Sequence, residues 1–547
     1  MKKLKEKENQ IFLFIMVIAI VIACLPVFSK YCIQGHDSEY HLLRIEALKD
    51  AILKGVPVLK VNTLFFGDMG YASSMFYPDF LLYIPAILRV LGFSMKISYH
   101  TFIVVCVALT FFFGYYAGKS ICNNRYAGLI SAILVTLCSY HIDDIYVRAA
   151  VGEYTAYIFL PLLLYGIYNM CYEEMSKPWT LSVGMAGVLL CHTLSFAACV
   201  GIASLLFILN IKKFIENKKL FIKLIITALV TMAYTCTYWF PMLEQMLSTK
   251  FYVSKPWIQP YENATGAGTV FSLLFPTVGV ALLMFILPRI VLKKEKDDNA
   301  LKFADQCLVL GLIFAFASRD VFPWERLGRF VSPIQFPWRL YQISSPLLAI
   351  AGAIILYKFI IYINSMYSSA KTEHIVAIVV LAVMVLTSMY SYTNQERTYY
   401  DYSQDYYSHK PFTATVIAGE WLPMSVEDAQ ALVNQSDHAF DSNGNERDFY
   451  RHKNRLTVTV DGTDSVDVPF VFYKGYAAKG ENGETFIVDG SGNNGEVRVF
   501  TNGYSGNVEV FYKGTLIQHI SKFISILTIL AIIALAIVKR RGAISAL

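Results

Sequence analysis

Nine side chains in this sequence are of types that could do chemistry together, and they fall in three short stretches. His36, Asp37, His41 and Arg44 lie within nine positions, directly after the first hydrophobic segment. Asp143, Asp144, Arg148 and Glu153 fall in HIDDIYVRAAVGE, at the mouth of a later hydrophobic segment. Arg339 closes the run QFPWR. A carboxylate within hydrogen-bond reach of a hydroxyl can take its proton as that oxygen attacks, which makes Asp37 a candidate base. His36, His41, Asp143, Asp144 and Glu153 are further candidates for proton handling. Guanidinium groups bind developing negative charge bidentately, which makes Arg44, Arg148 and Arg339 candidate anion ligands. Each has a plainer reading. Asp37 could cap a helix; Asp143, Asp144 and Glu153 could form a salt-bridged loop with Arg148; Arg339 could reach for lipid headgroups. His36, Asp37 and His41 could instead hold a divalent metal, although no HExxH-type motif accompanies them.

The elements that must position these residues can be read from periodicity. After Asp37, with Glu39 in the first turn, Leu42, Ile45, Leu48 and Ile52 recur at helical spacing until Gly55 and Pro57 stop it. On such a helix Asp37, His41, Arg44 and Leu48 share one stripe beside the apolar face. The chain as a whole is 55% hydrophobic and 16% charged, with a mean hydropathy of +0.46. That composition demands helices in lipid plus one polar region. Candidate spans are 10–29, 97–118, 126–141, 155–171, 220–243, 269–292, 301–318, 340–363, 374–391 and 519–538. The stretch 180–210 is too long for one span and short for two. The basic flanks Lys2–Lys7, Lys119 to Arg125, Lys177, Lys212 to Lys219, Lys293 to Lys296, Lys371 and Lys539–Arg541 fall on one side only if 180–210 crosses twice. This predicts about 12 spans with both termini cytoplasmic. The segments 30–96, 141–154, 244–268, 319–339 and 392–518 then face outward. The net charge of +6 is accounted for by those flanks and calls for no nucleic-acid partner. None of the ten cysteines falls in 392–518, so no disulfide framework holds that region. In it, LTVTV (456–460), VDVPFVFY (466–473), TFIV (485–488), EVRVF (496–500) and VEVFY (508–512) alternate between DG, NG and GN turns, which predicts a small antiparallel β-sandwich. The predicted division is a multi-span domain over 1–391, a β-rich domain over 392–518, and a last span with a basic tail over 519–547.

One span, an outer loop opening on an acid, many further spans and a C-terminal outer domain together resemble the GT-C superfamily of membrane glycosyltransferases. The segments GHDSEYHLLRIEALKDAI, YVRAAVGE, QFPWRL and GEWLP (419–423) resemble a bacterial integral-membrane family labelled 6-pyruvoyl-tetrahydropterin synthase-related, close to YfhO-like proteins. Pterin synthesis itself does not fit, because the soluble synthase needs three zinc-bound histidines in a compact α/β subunit. The GT-C resemblance implies an inverting glycosyltransferase of the bacterial plasma membrane. Its donor would be a polyprenyl-phosphate-linked sugar, and its acceptor a cell-envelope molecule on the outer face. Asp37 would be the base, and the arginines would meet the leaving phosphate. The rival readings are a transporter or flippase of a lipid-linked glycan, which predicts charges at mid-membrane, and a non-catalytic anchor with a glycan-binding ectodomain.

Overall fold

A computed structural model describes residues 2–255, 260–266, 271–292, 298–328, 331–367, 372–400 and 419–544. The basic residues Lys293 to Lys296 and Lys371, and the tyrosine-rich stretch from Asp401 to His409, lie outside the described residues. The chain divides into two compact units. The first comprises Met1–Ser38, Lys96–Thr231 and Ile258–Tyr402; the second comprises Glu39–Met95, Met232–Trp257 and Ser403–Leu547.

The chain is a multi-pass membrane protein. Among the described residues seven helices are long and apolar enough to cross a bilayer: Met95–Cys122, Val151–Tyr172, Lys218–Ser248, Asn299–Ala317, Pro337–Met366, Thr372–Asn394 and Leu516–Val538. An eighth arises if Arg125–Thr136 and Ser139–Arg148, bent by 46° at the break between them, count as one span. The expected count of about 12 is therefore not reached by helices of spanning length. Five further apolar helices, Glu8–Ala23, Phe80–Val90, Pro178–Leu189, Thr193–Leu209 and Val280–Ile290, are shorter than the roughly 20 residues a span needs. Hydropathy counts apolar residues whether or not the backbone stays helical. The stretch 180–210 breaks at Leu190–His192, where the His192 side chain caps the next helix by accepting from Ser195 N. Within the stretch 269–292, residues 272–279 are not helical and the α-helix begins at Val280.

In the first unit, helices pack closely where glycines permit it. A Cβ on Gly166 would lie 2.5 Å from Leu181 N, and one on Gly184 would lie 2.7 Å from Leu163 Cα. Val151–Tyr172 and Pro178–Leu189 can meet backbone to backbone only because those side chains are absent. A short antiparallel ladder pairs β1 (Cys32–Gln34) with β2 (Thr398–Tyr400), a pairing that the periodicity did not signal.

The second unit is organised around one eight-stranded antiparallel sheet in the order β3-β6-β9-β8-β7-β10-β5-β4. Its strands are β3 (Phe440–Asp441), β4 (Phe449–His452), β5 (Arg455–Asp461), β6 (Ser465–Val471), β7 (Tyr476–Gly480), β8 (Thr485–Asp489), β9 (Glu496–Phe500) and β10 (Ser505–Tyr512). All five strands read from sequence are present. The expected sandwich is not: β8 pairs with both β7 and β9, joining the strands into a single sheet that curls as a half-barrel. Alternation reveals which residues face a core, but not whether two sheet edges are joined. The concave core of Leu456, Val458, Val466, Val468, Val497, Val499, Val508 and Val510 also takes in Tyr40, Leu43 and Ala47 from the Ser38–Leu53 helix.

Candidate active site around Glu153

The stretch from Ser139 to Glu153 is irregular for a chemical reason. Ser139–Asp143 is α-helical, Asp144–Arg148 widens into a π-turn, and Ala149 then adopts a left-handed conformation (φ 52°) before the Val151–Tyr172 helix begins. Such π-turns concentrate at functional sites because they turn a side chain without ending the helix. Here the turn brings Asp144, Arg148 and Glu153 together, all buried to within 3% of full. Arg148 Nη1 donates to Asp144 Oδ1 (2.7 Å) and Glu153 Oε2 (2.5 Å), and Nη2 donates to Glu153 Oε1 (2.8 Å). Tyr140 Oη donates to Glu153 Oε2 (3.0 Å). Arg339 Nε stands 3.0 Å from Glu153 Oε1.

Glu153 is tied from behind as well. Gln342 Nε2 donates to its carbonyl (2.8 Å), and Ser195 Oγ donates to Gln342 Oε1 (2.6 Å). Two buried carboxylates and two guanidiniums thus balance. Removing Arg148 would leave buried carboxylate charge uncompensated, a loss of about 3–5 kcal/mol for such pairs.

Asp37 is the third carboxylate of this group, and among the described residues no cation forms an ion pair with it. Its backbone N donates to the Arg148 carbonyl (2.8 Å), and His36 N donates to the Val147 carbonyl (3.1 Å). Ser38 Oγ accepts from Gly35 N (2.7 Å), closing the turn. A Cβ on Gly35 would lie 2.7 Å from Ala149 N, so only glycine lets the 35–38 turn seat on residues 147–149. The Asp37 side chain is half-buried and accepts no hydrogen bond among the described residues. Burial raises its carboxyl above the ordinary carboxylate range and Glu153 adds to the rise, while Arg148, Arg339 and His36 pull the other way. His36 is exposed, its ring edge-on to Phe275 at 6.3 Å.

The other expected residues have different partners. Asp143 turns from Arg148 to Ser391, whose Oγ donates to Asp143 Oδ1 (3.1 Å). The stripe of Asp37, His41, Arg44 and Leu48 is not a reactive helix face: the helix begins after Asp37, and His41, Arg44 and Leu48 are all buried. Within the second unit Arg44 Nη2 donates to Asp79 Oδ1 (2.5 Å) and to the carbonyls of Tyr77 (3.0 Å) and Pro78 (2.8 Å). Its Nη1 lies 3.2 Å from His41 Nδ1. Nor do His36, Asp37 and His41 form a metal-binding set; among the described residues no three His, Cys, Asp or Glu side chains gather to hold an ion. Helical spacing placed these residues on one stripe but could not tell which way it faced.

No family model matches the chain. A relative from Lactococcus lactis subsp. cremoris (strain MG1363), described as an uncharacterized protein, is 25% identical over 349 residues, covering 58% of this chain. This chain spans about half (55%) of that relative's length. Among solved structures, the cryo-EM structure of the mycobacterial arabinofuranosyltransferase AftD is similar at 13% identity and a TM-score of 0.46, over 69% of this chain and 28% of the other.

Sequence reading missed the supports of the site. Tyr140, Gln342 and Ser195 carried no signal, being single polar residues in apolar runs. Trp338 lies under the Arg148 guanidinium, 4.2 Å from ring centroid to Cζ. The QFPWR run was the available signal.

Proposed function

We propose that the protein is an inverting membrane glycosyltransferase of the bacterial plasma membrane. It moves a sugar from a polyprenyl-phosphate carrier to a cell-envelope acceptor on the outer face. The observation that carries this reading is the seating of Asp37: a half-buried carboxylate without a hydrogen bond, fixed by its backbone to the turn that bears Arg148. An acceptor hydroxyl gives its proton to Asp37 while its oxygen attacks the anomeric carbon. The bond from that carbon to the phosphate oxygen breaks with its electron pair going to the phosphate. Because the donor already carries a good leaving group, the protein needs a base, an anion site and correct placement.

The geometry separates the three arginines. Arg44 is committed to Asp79, and Arg148 to Asp144 and Glu153. Arg339 keeps its Nη2 without a hydrogen-bond partner among the described residues, so it is our choice for the direct phosphate ligand, with Arg148 as fixed charge behind it. Glu153 and Asp144 act by positioning, while His41 and Arg44 take no part.

The test is Asp37→Asn in a strain deleted for the gene, read by mass spectrometry of envelope glycans and lipid-linked sugars. Wild-type protein should restore the missing glycan. The variant, expressed at the same level, should leave the glycan absent and let its lipid-linked donor accumulate. Full restoration by the variant would remove Asp37 from the mechanism.

A further inference from the structure

The residues around Arg339 form an arrangement that ion pairing alone does not require. The Arg148 guanidinium stacks on Trp338 (4.2 Å), Trp338 stacks on Phe336 (centroids 5.0 Å apart, planes 27° apart), and the Arg339 guanidinium lies 5.1 Å from the Phe336 centroid. Two cations therefore bracket two aromatic rings, and both cations meet Glu153. Arg148 takes both Glu153 oxygens, whereas Arg339 meets one of them through Nε. Arg339 Nη1 donates to Gln335 Oε1 (2.7 Å) and to the Ile334 carbonyl (3.2 Å). Phe275 meets Trp338 edge-on at 5.1 Å, steadying the stack from the side.

An arginine free to rotate would close its planar fork on Glu153 and offer nothing to a ligand. Here one face is taken by an aromatic ring, Nε is held 3.0 Å from Glu153 Oε1 by charge without a hydrogen bond, and Nη1 donates to Gln335, leaving Nη2 without a hydrogen-bond partner among the described residues. We propose that Gln335, Phe336 and Trp338 are positioning residues that hold the Arg339 guanidinium open for a lipid-borne phosphate. This inference rests on the reading of a lipid-phosphate donor. It adds that Gln335, Phe336 and Trp338 set affinity for the phosphate rather than the proton transfer.

The experiment measures binding, not transfer. The full-length protein in nanodiscs is titrated with a ten-carbon prenyl phosphate and, as control, with the matching prenyl alcohol. Phe336→Ala and Trp338→Ala should each weaken phosphate binding by about 10-fold, the loss expected of a partly desolvated cation–π contact. Trp338→Phe, which keeps a ring, should recover most of it, and the weak affinity for the alcohol should not change. Equal phosphate affinity in wild type and both alanine variants would overturn the inference, as would an equal fall in affinity for the alcohol. If Trp338→Ala does not fold, Phe336→Ala and Gln335→Ala put the same question. Wild-type protein that fails to bind the prenyl phosphate would overturn the donor reading itself, a result distinct from binding that ignores the aromatic stack.

Discussion

At the scale of single residues, the site divides charge between two kinds of carboxylate. Glu153 and Asp144 are buried and paired, while Asp37 is half-buried and has no ion-pair partner among the described residues. Arg339 is one of the groups that hold the Asp37 carboxyl down against burial. Replacing it with Gln removes that restraint, so the carboxyl keeps its proton to higher pH. A base must be deprotonated to act, so the acidic limb of a rate–pH profile should move to higher pH in Arg339→Gln, with the maximal rate also lowered. Arg339→Lys should correct the limb but not the rate, because a point charge does not reproduce the guanidinium fork. Gly35 decides placement. Gly35→Ala sets a methyl against Ala149 N, so it should cost about 1–3 kcal/mol of stability and lower transfer more than that loss explains, read by thermal unfolding beside glycan restoration. The sequence presented Asp37, Arg148 and Arg339 as candidates on residue type alone. It presented His41 and Arg44 equally well, because type and spacing say nothing about which neighbour claims a charge first.

At the scale of elements, the π-turn and the half-barrel show what a local pattern can carry. The HIDDIYVRAAVGE stretch announces charge beside a span, but the widened turn and the left-handed Ala149 that gather those charges follow from packing. In the half-barrel, turn chemistry and alternation located five strands. They passed over β3, β4 and β7, which are short or lack clear alternation. The half-barrel also holds a titrating group. Glu496 is 3% exposed, and burial, with Asp467 beside it, pushes its carboxyl up from 4.5 to about 8. Asp467 itself is held by Arg498 through two hydrogen bonds of 2.6 and 2.8 Å. Between those two values the folded protein keeps a proton that the unfolded chain releases, so stability falls as pH rises through this range. Glu496→Gln should abolish that fall. Its advantage over wild type in thermal unfolding should therefore be small near pH 5 and grow towards pH 8.

At the scale of the whole molecule, seven helices of spanning length among the described residues, or eight with the bent pair, and a C-terminal half-barrel describe a multi-pass membrane protein. On the proposed topology, single cysteines at the exposed positions Glu39 and Asn482 in a cysteine-free background should react with an impermeant maleimide added outside intact cells. One at Glu173 should react only after permeabilisation; the reverse pattern would place Asp37 on the wrong side for an outer-face donor. The sequence by itself determined that the chain enters lipid, that a stranded region precedes the last span, and which stretches bear the reactive residues. Those are properties of composition and short-range period, which the chain carries wherever it folds. Tertiary structure alone decided that Asp37 is seated on the carbonyl of Arg148, that Glu153 is met by arginines 5 and 186 residues away, and that Arg44 is spent on Asp79. The physical reason is that a buried charge takes whichever opposite charge packing brings within reach, and that distance is not written in the order of residues.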